Sequence, residues 1–380
     1  MKNIVHIVDT LCIGGRENVV IDICNNLDIE KYNVFVITLT NDENDAKIKL
    51  NSNIIFFSLP IKHNDLVGFN TFLNFRKAVF SLRKLLVSID PDIIHTHSYL
   101  HRLLIAGIAM KSISNNFKYF HTVHTSGMYY DSNRLLDKIK LSIDGFALGL
   151  NRPTLIGISE IVQENNIKYF KSQTKTSIYI PNGIDLDIFN TERIKVHSSL
   201  FGVLDENIVI TYVARLCKGK NHFTLLKAIT LLKKKHPSVK LFLAGDGDMR
   251  AEIEKIIIED GLQDNIQLLG SISNVEELLM VTKIAVFPSE FEGFTLTLIE
   301  KMAMGLPVVA ADNQIFKKLI CNGENGLLFS MFDEVELAKC ISNLIEDDKL
   351  YNKISKNALL FSKIFSIQKM VSEHEIYYEK

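Results

Sequence analysis

Tryptophan is absent from this 380-residue chain, so no indole marks a stacking platform for a ring-shaped ligand. Strong charge of either sign is absent as well. The 43 basic and 44 acidic residues leave a net charge of −1, which excludes bulk attraction to nucleic acid. The five cysteines (Cys12, Cys24, Cys217, Cys321 and Cys340) are odd in number, scattered and without a Cys-x-x-Cys pair. They exclude a disulfide framework and read as reduced thiols of a cytoplasmic protein. No apolar run approaches the ~18–20 residues needed to cross a bilayer. The first strand, Asn3-Ile-Val-His-Ile-Val8, begins at once and is read as leaving no room for a signal peptide. Low-complexity segments and internal repeats are missing too.

What remains is a globular composition, 47% apolar and 23% charged, long enough for two full cores. Short β-branched runs alternate with helical patterns from end to end, the signature of parallel sheets covered by helices. The first half carries strand candidates at Ile4–Asp9, Val34–Leu39, Ile54–Leu59, Ile93–His97, Tyr119–His124, Thr154–Ser159 and Ser177–Ile180. In the second half they are Ile208–Val213, Val239–Ala244, Ile266–Leu269, Ile284–Pro288, Val308–Ala311 and Gly326–Phe329. Many are apolar on both faces, as buried parallel strands should be. The fold class is therefore α/β, with two Rossmann-like doubly wound domains of roughly six strands each. The expected boundaries are 1–188 and 189–355, joined near Pro181-Asn-Gly-Ile-Asp185. Lys349 to Lys380 reads as two helices.

Glu292 and Glu300 stand eight apart in Phe291-Glu-Gly-Phe-Thr-Leu-Thr-Leu-Ile-Glu300, between a strand and a helix that ends at Gly305-Leu-Pro307. A helix N-terminus at Gly293, Phe294 and Thr295 offers free N–H groups that suit a pyrophosphate. Eight residues of helix rise about 12 Å, and a carboxylate at each end accepts hydrogen bonds from vicinal hydroxyls. This spacing suits a nucleotide-sugar. Two glutamates so spaced can also be a solvated helix face, but Glu300 lies in an otherwise apolar helix, where an unpaired carboxylate is costly.

The segment Ala285 to Ala311 resembles the signature region of the family-4 retaining glycosyltransferases, and the likeness extends over nearly the whole chain. It implies the GT-B fold, two domains facing a cleft, with a final helix (356–380) packing back on the first domain. It implies that Glu292 contacts donor-sugar hydroxyls and that Glu300 binds the ribose. No metal and no cofactor besides the nucleotide-sugar, of UDP type, are expected.

Other motifs are weighed beside this one. Gly14-Gly15 follows the first strand and opens a helix. It is either an ordinary turn or, as the family implies, a backbone face for the donor phosphate. In Arg215-Leu-Cys-Lys-Gly-Lys220, two cations after a strand make a diphosphate clamp that can neutralise a departing nucleotide. The family spacing selects Arg215 and Lys220, with Lys218 as the local alternative. Ala244-Gly-Asp-Gly-Asp248 could be a metal-binding acid pair, but reads better as a turn in which Asp248 caps the next helix. His95, His97, His101, His121 and His124 gather at strand ends. Zinc ligation by this set is conceivable but not expected. The family likeness of Phe120-His-Thr-Val-His124 makes His124 the sugar-contacting residue and His97 an acceptor-side one. Ser159 reads as a helix cap.

Gly68 to Ser88 forms a basic, aromatic-rich helix that either docks on an anionic membrane or packs its aromatic stripe on the sheet. The chain departs from the family where Asn313 to Leu319 replaces a Gly-Gly-x-x-Glu-type loop. The combined expectation is a glycosyltransferase that moves a sugar to a hydroxyl of a glycan or lipid-linked acceptor with retention. It would be cytoplasmic and peripheral on the inner membrane face, in envelope or capsular polysaccharide assembly.

Overall fold

The computed structural model describes residues 1–12, 14–42, 44–62, 64, 71–113, 116–124, 134–191, 202, 204, 206–292 and 296–380. Of Thr71 only the backbone is described. Gly293, Phe294 and Thr295, the expected pyrophosphate-binding amides, lie outside these residues, as do Gly68 to Asn70 of the basic helix.

The chain divides into two compact units, Met1–Gly183 with Ile367–Lys380, and Ile184–Ser366. In the first, elements run β1 (Lys2–Val8), α1 (Gly15–Asn26), β2 (Tyr32–Thr38), β3 (Ile55–Ser58), α2 (Thr71–Ile89), β4 (Ile93–Thr96) and α3 (Leu100–Lys111). They continue as β5 (Lys118–Val123), α4 (Leu135–Gly149), β6 (Thr154–Gly157), α5 (Glu160–Phe170) and β7 (Thr176–Tyr179). The second unit contains β8 (Ile208–Val213), α6 (His222–Leu232), β9 (Val239–Ala244), α7 (Arg250–Glu259), β10 (Ile266–Gly270), α8 (Val275–Met280) and β11 (Ile284–Phe287). It ends with α9 (Leu296–Ala303), β12 (Val308–Ala311), α10 (Gln314–Leu319), β13 (Leu327–Phe329), α11 (Glu334–Glu346) and α12 (Asp348–Ser362). The last helix, α13 (Ile367–Glu379), belongs to the first unit.

Both sheets are parallel throughout, in the orders β3-β2-β1-β4-β5-β6-β7 and β10-β9-β8-β11-β12-β13. Each therefore reverses its winding once, between β1 and β4 and between β8 and β11. That reversal opens a crevice beyond the carboxyl ends of the strands, where doubly wound sheets bind ligands.

Period-two alternation sorts the first sheet into two faces. Val5, Ile7, Ile94 and Tyr119 join α2 (Ala78, Leu82, Leu86) and α3 (Ile105, Ala106, Ala109, Met110) in one core, which Phe75 and Val79 flank. Each such side chain removed from water contributes about 1.5–3 kcal/mol. The opposite face carries His6, His95 and Thr122, and α13 is fastened to that unit by polar contacts. Tyr32 Oη donates to Glu379 at 2.7 Å, the Asp28 N–H to Glu375 at 2.9 Å and Lys118 Nζ to the Tyr378 carbonyl at 2.8 Å.

Helix ends follow their local sequence. Ser159 accepts from the Val162 N–H and caps α5 as expected. Asn313 accepts from the N–H groups of Ile315 and Phe316 and caps α10. Asp248 does not cap α7. The cap position is Met249, without a side-chain bond, and Asp248 is exposed. The reason is one residue of register: the turn holds Asp246 Oδ1 on the Gly247 N–H instead.

Gly245 sits at φ +137, and a Cβ there would lie 2.0 Å from the Ala214 carbonyl oxygen. Only glycine lets the two strand ends close over each other. Gly245→Ala is expected to cost roughly 2–4 kcal/mol, whereas Gly219→Ala, with no atom of the described residues within 4 Å, should be near neutral. Urea unfolding midpoints of the two variants check this, and equal midpoints would contradict it.

Candidate functional site: a cation–carboxylate crevice and a histidine relay

In the second unit the site residues leave the two strands that flank the reversal. Lys220 follows β8 and Glu292 follows β11, and the lysine ammonium meets the glutamate carboxylate at 2.5 Å. Both are partly exposed, at 24% and 16% of the side chain, so the pair is open to an incoming ligand. The loops are tied together beneath it. Tyr212 Oη donates to the Lys220 carbonyl at 3.0 Å and shares a 2.8 Å bond with Ser289 Oγ. The Glu290 N–H donates to the Gly219 carbonyl at 3.0 Å. Asn313 Nδ2 donates to the Ser289 carbonyl at 2.9 Å. The segment that departs from the family pattern thus supplies a strut to the same crevice.

Asn221 turns the chain through φ +53 between Lys220 and α6. His222, the first residue of α6, stacks obliquely on Tyr212. Burial, and then the Lys220 charge, lower its pKa to about 4, so it stays neutral. Lys218 points elsewhere, lining a pocket of about 200 Å³ with His222, Met249 and Phe332. Of the two candidate lysines, the structure brings Lys220 to Glu292. Arg215 is exposed, with no side-chain partner recorded among the described residues. Glu300 lies on α9, half-buried, with Oε2 3.6 Å from Lys301 Nζ. Lys301 is wholly buried, and its nitrogen has no hydrogen-bond partner among the described residues. Desolvation outweighs the attraction of Glu300 and lowers its pKa. Nothing in the residue pattern announced this lysine, because the helical stripe alone placed it beside apolar neighbours.

In the first unit Gly14 is the cap position of α1 and Gly15 its first residue. A Cβ on Gly14 would meet Glu17 Oε2 at 2.6 Å, while around Gly15 no atom of the described residues lies within 4 Å. Behind them Arg16 contacts Asp9 at 3.1 Å and Glu17 at 2.5 Å, and Arg102 approaches Asp9 at 3.6 Å. Burial opposes the Arg16 charge, but Asp9 and Glu17 outweigh it and raise its pKa. Asp9, Arg16 and Arg102 were not anticipated. Their cue was an acid closing the first strand.

The histidines form an ordered chain. His6 Nδ1 lies 3.2 Å from His97 Nε2, and His97 Nδ1 lies 3.0 Å from His124 Nε2. His95 is held separately, by Tyr378 Oη and Thr122 Oγ1 at 2.7 Å each. On the other face Thr96 bonds His121 at 2.8 Å. His97, the residue expected on the acceptor side, is the middle ring of this chain. It is wholly buried with both ring nitrogens engaged, because the strand end carries it under the sheet edge. His124 is the one that reaches partial exposure. Ligand nitrogens of His6, His95 and His97 lie within 4.8 Å of one another, as a metal would need. Both nitrogens of His95 and of His97 are already hydrogen-bonded, however, so this set does not fit a metal without breaking that network. Burial keeps the cluster neutral, lowering His6 and His121 to about 3 and His374 to about 4, with His95, His97 and His124 also depressed.

Comparison with known proteins follows the same division. The profile described as "Glycosyl transferases group 1" matches residues 200–360, and that described as "Glycosyltransferase Family 4" matches residues 13–188. The alpha-monoglucosyldiacylglycerol synthase of Acholeplasma laidlawii is 24% identical, over 93% of this chain and 90% of that protein. An N-acetylgalactosamine-N,N'-diacetylbacillosaminyl-diphospho-undecaprenol 4-alpha-N-acetylgalactosaminyltransferase of Campylobacter jejuni is 30% identical, over 53% and 54%. Among solved structures, a sucrose-phosphate synthase from Thermosynechococcus elongatus superposes with TM-score 0.81 at 22% identity, over 100% and 98% of the chains. Anabaena HepE in complex with UDP-glucose gives 0.79 at 20%, over the whole of both.

Six imidazoles held neutral in the first unit give stability a pH dependence of definite sign. Their folded pKa values lie below the unfolded 6.5, so the unfolded chain takes up more protons as pH falls. Stability is complete above 6.5 and declines below it, by up to about 1.4 kcal/mol per pH unit for each ring. Thermal melts between pH 7 and pH 4.5 should show the midpoint dropping steeply below 6.5. A flat profile would sink the assignment.

Proposed function

This chain belongs to the family-4 glycosyltransferases with the GT-B fold, and from that premise we propose that it transfers a sugar from a UDP-linked donor to a hydroxyl of a glycan or lipid-linked acceptor, with retention at the anomeric carbon. The carrying observation is the Lys220–Glu292 pair at 2.5 Å, set at the strand reversal of the second unit. In the ligand-free protein each charge satisfies the other. A donor diphosphate takes over the lysine, and the freed carboxylate accepts from sugar hydroxyls. Arg215, exposed on the same loop, adds a second cation to the diphosphate, and Glu300 accepts from the ribose hydroxyls. A phosphate-binding role for the Gly14-Gly15 backbone is what the family resemblance implies. Cationic stabilisation of the departing UDP does the work that a metal would otherwise do, and no cofactor is invoked.

Retention is what the family resemblance implies, and with no well-qualified covalent nucleophile among these groups a retaining reaction has the acceptor attack on the face that the phosphate leaves. Support for a UDP-sugar comes from HepE, whose structure holds UDP-glucose. Support for a lipid-linked acceptor comes from the names of the relatives, one a synthase of alpha-monoglucosyldiacylglycerol and one a transferase named for a diphospho-undecaprenol-linked sugar. The role proposed is assembly of envelope polysaccharide or glycolipid.

Two further groups of side chains fit a membrane-borne acceptor. On α2, Phe72, Leu73, Phe80 and Val87 are exposed beside Arg76, Lys77, Arg83 and Lys84. The helix thus divides its apolar residues, sending Phe75 and Val79 towards the core and leaving Phe72, Leu73, Phe80 and Val87 in solvent. On α4, Leu135, Leu136, Ile139 and Phe146 are exposed as well. No helix among the described residues is long and apolar enough to cross a membrane, so the attachment proposed is peripheral, on the inner face of the cell membrane.

UDP release from UDP-hexoses should depend on an added acceptor, with an α-linked product from an α-linked donor. Lys220→Ala and Arg215→Ala should each lower kcat by roughly 10²–10³-fold, and Glu300→Ala should mainly raise the donor KM. Sugar interconversion without acceptor would instead make the chain an epimerase, and donor binding without turnover a silent subunit. In flotation with anionic liposomes the protein should rise with the vesicles. Loss of that behaviour on Arg76→Glu/Lys77→Glu would locate the contact on α2, and protein remaining at the bottom would remove the membrane proposal.

A further inference from the structure

Three rings in the first unit, two of them wholly buried, are joined end to end, and their protons can be counted. A neutral imidazole carries one N–H and one bare nitrogen. The bonds His6 Nδ1···His97 Nε2 and His97 Nδ1···His124 Nε2 take one proton each. Three neutral rings bring three protons, so the third must sit at one end of the chain, on His6 Nε2 or on His124 Nδ1. Either choice orients every ring in the relay, and no single ring can reverse alone.

The two ends are not equivalent. His6 is wholly buried, and its Nε2 has no partner among the described residues. A proton there would be a buried donor without an acceptor, the costlier kind of orphan. Nor does the neighbouring His374 relieve it. That ring donates from Nδ1 to the Met370 carbonyl at 2.8 Å, and its own Nε2 is also without a partner. His124 is partly exposed, and its Nδ1 has no partner among the described residues, so water or a ligand can accept from it. Arg16 lies near His124 but is matched by Asp9 and Glu17. Burial and then the Arg16 charge keep the His124 ring neutral.

We propose that the His6–His97–His124 relay is proton-ordered and fixes His124 as the Nδ1–H tautomer. The ring then presents a hydrogen-bond donor, not a base, to a sugar oxygen. His6 and His97 act as positioning residues, two rings removed from the substrate in the case of His6. The tautomer is a property of the free protein. Only the contact with a sugar rests on the reading of the chain as a glycosyltransferase, and the two can fail separately.

The test is a long-range ¹H–¹⁵N correlation spectrum of the full chain labelled at histidine, with His124 assigned by its loss in His124→Ala. At pH 7.5 His6, His97 and His124 should each show a protonated Nδ1 and a bare Nε2. A protonated Nε2 on His124 would overturn the proposal. His6→Asn keeps a donor near the Nδ1 position and should leave the His124 signature and kcat/KM within about twofold of the parent. His6→Phe removes that donor, and should mix the His124 tautomers and lower kcat/KM roughly tenfold. An unchanged His124 signature in a folded His6→Phe would refute the coupling. Should that variant not fold, the parent spectrum decides the tautomer and His6→Asn the coupling. A correct tautomer with activity indifferent to both changes would instead remove the sugar contact.

Discussion

A parallel sheet that winds in both directions must reverse once, and at that reversal the loops on either side part. The Lys220–Glu292 pair and the paired His6 and His95 both stand at such points. In the second unit β8 and β11 are paired at the reversal, so the segments leaving them, Arg215–Lys220 and Glu290–Glu292, emerge side by side although they lie some seventy residues apart. In the first, β1 and β4 are paired with His6 directly opposite His95. Hydrogen-bonded strand pairing therefore brings the charged and titratable groups together, and the loops only aim them.

Each unit furnishes its own crevice differently. The second keeps its charges at the surface, where Lys220 and Glu292 can exchange each other for a ligand. Its buried polar groups, Tyr212, Ser289 and Asn313, act as struts between loops. The first unit buries its polar groups more deeply and leaves them uncharged. A protonated imidazole in that setting would lack both water and a counter-charge, and neutrality is what allows His6, His97 and His124 to hydrogen-bond as a chain. The final helix completes this arrangement, since Tyr378 holds His95 and α13 is tied by its carboxylates to β1 and β2.

The family-specific departure at Asn313–Leu319 has a physical account. Without the glycines and glutamate, Asn313 spends its oxygen on capping α10 and its amide nitrogen on the Ser289 carbonyl. The loop is thus a brace for the strand end that precedes Glu292. The buried Lys301 beside Glu300 is a second departure from the simple amphipathic pattern. It places a buried amine behind the carboxylate proposed for the ribose.

The parallel architecture was legible in the linear text because buried strands are short, β-branched and apolar on both faces. All thirteen segments read that way are strands, with ends differing by at most two residues. The Glu-x7-Glu and Arg-x4-Lys spacings were legible too, since the loop after one strand lies within a single stretch of chain. The tertiary structure alone decided which lysine meets Glu292, that His97 is sealed away, and that His6 joins a relay with residues ninety and more positions distant. Those outcomes depend on strand order and on which face of the sheet the last helix covers. Both are set by pairings between remote segments, and no local periodicity carries them.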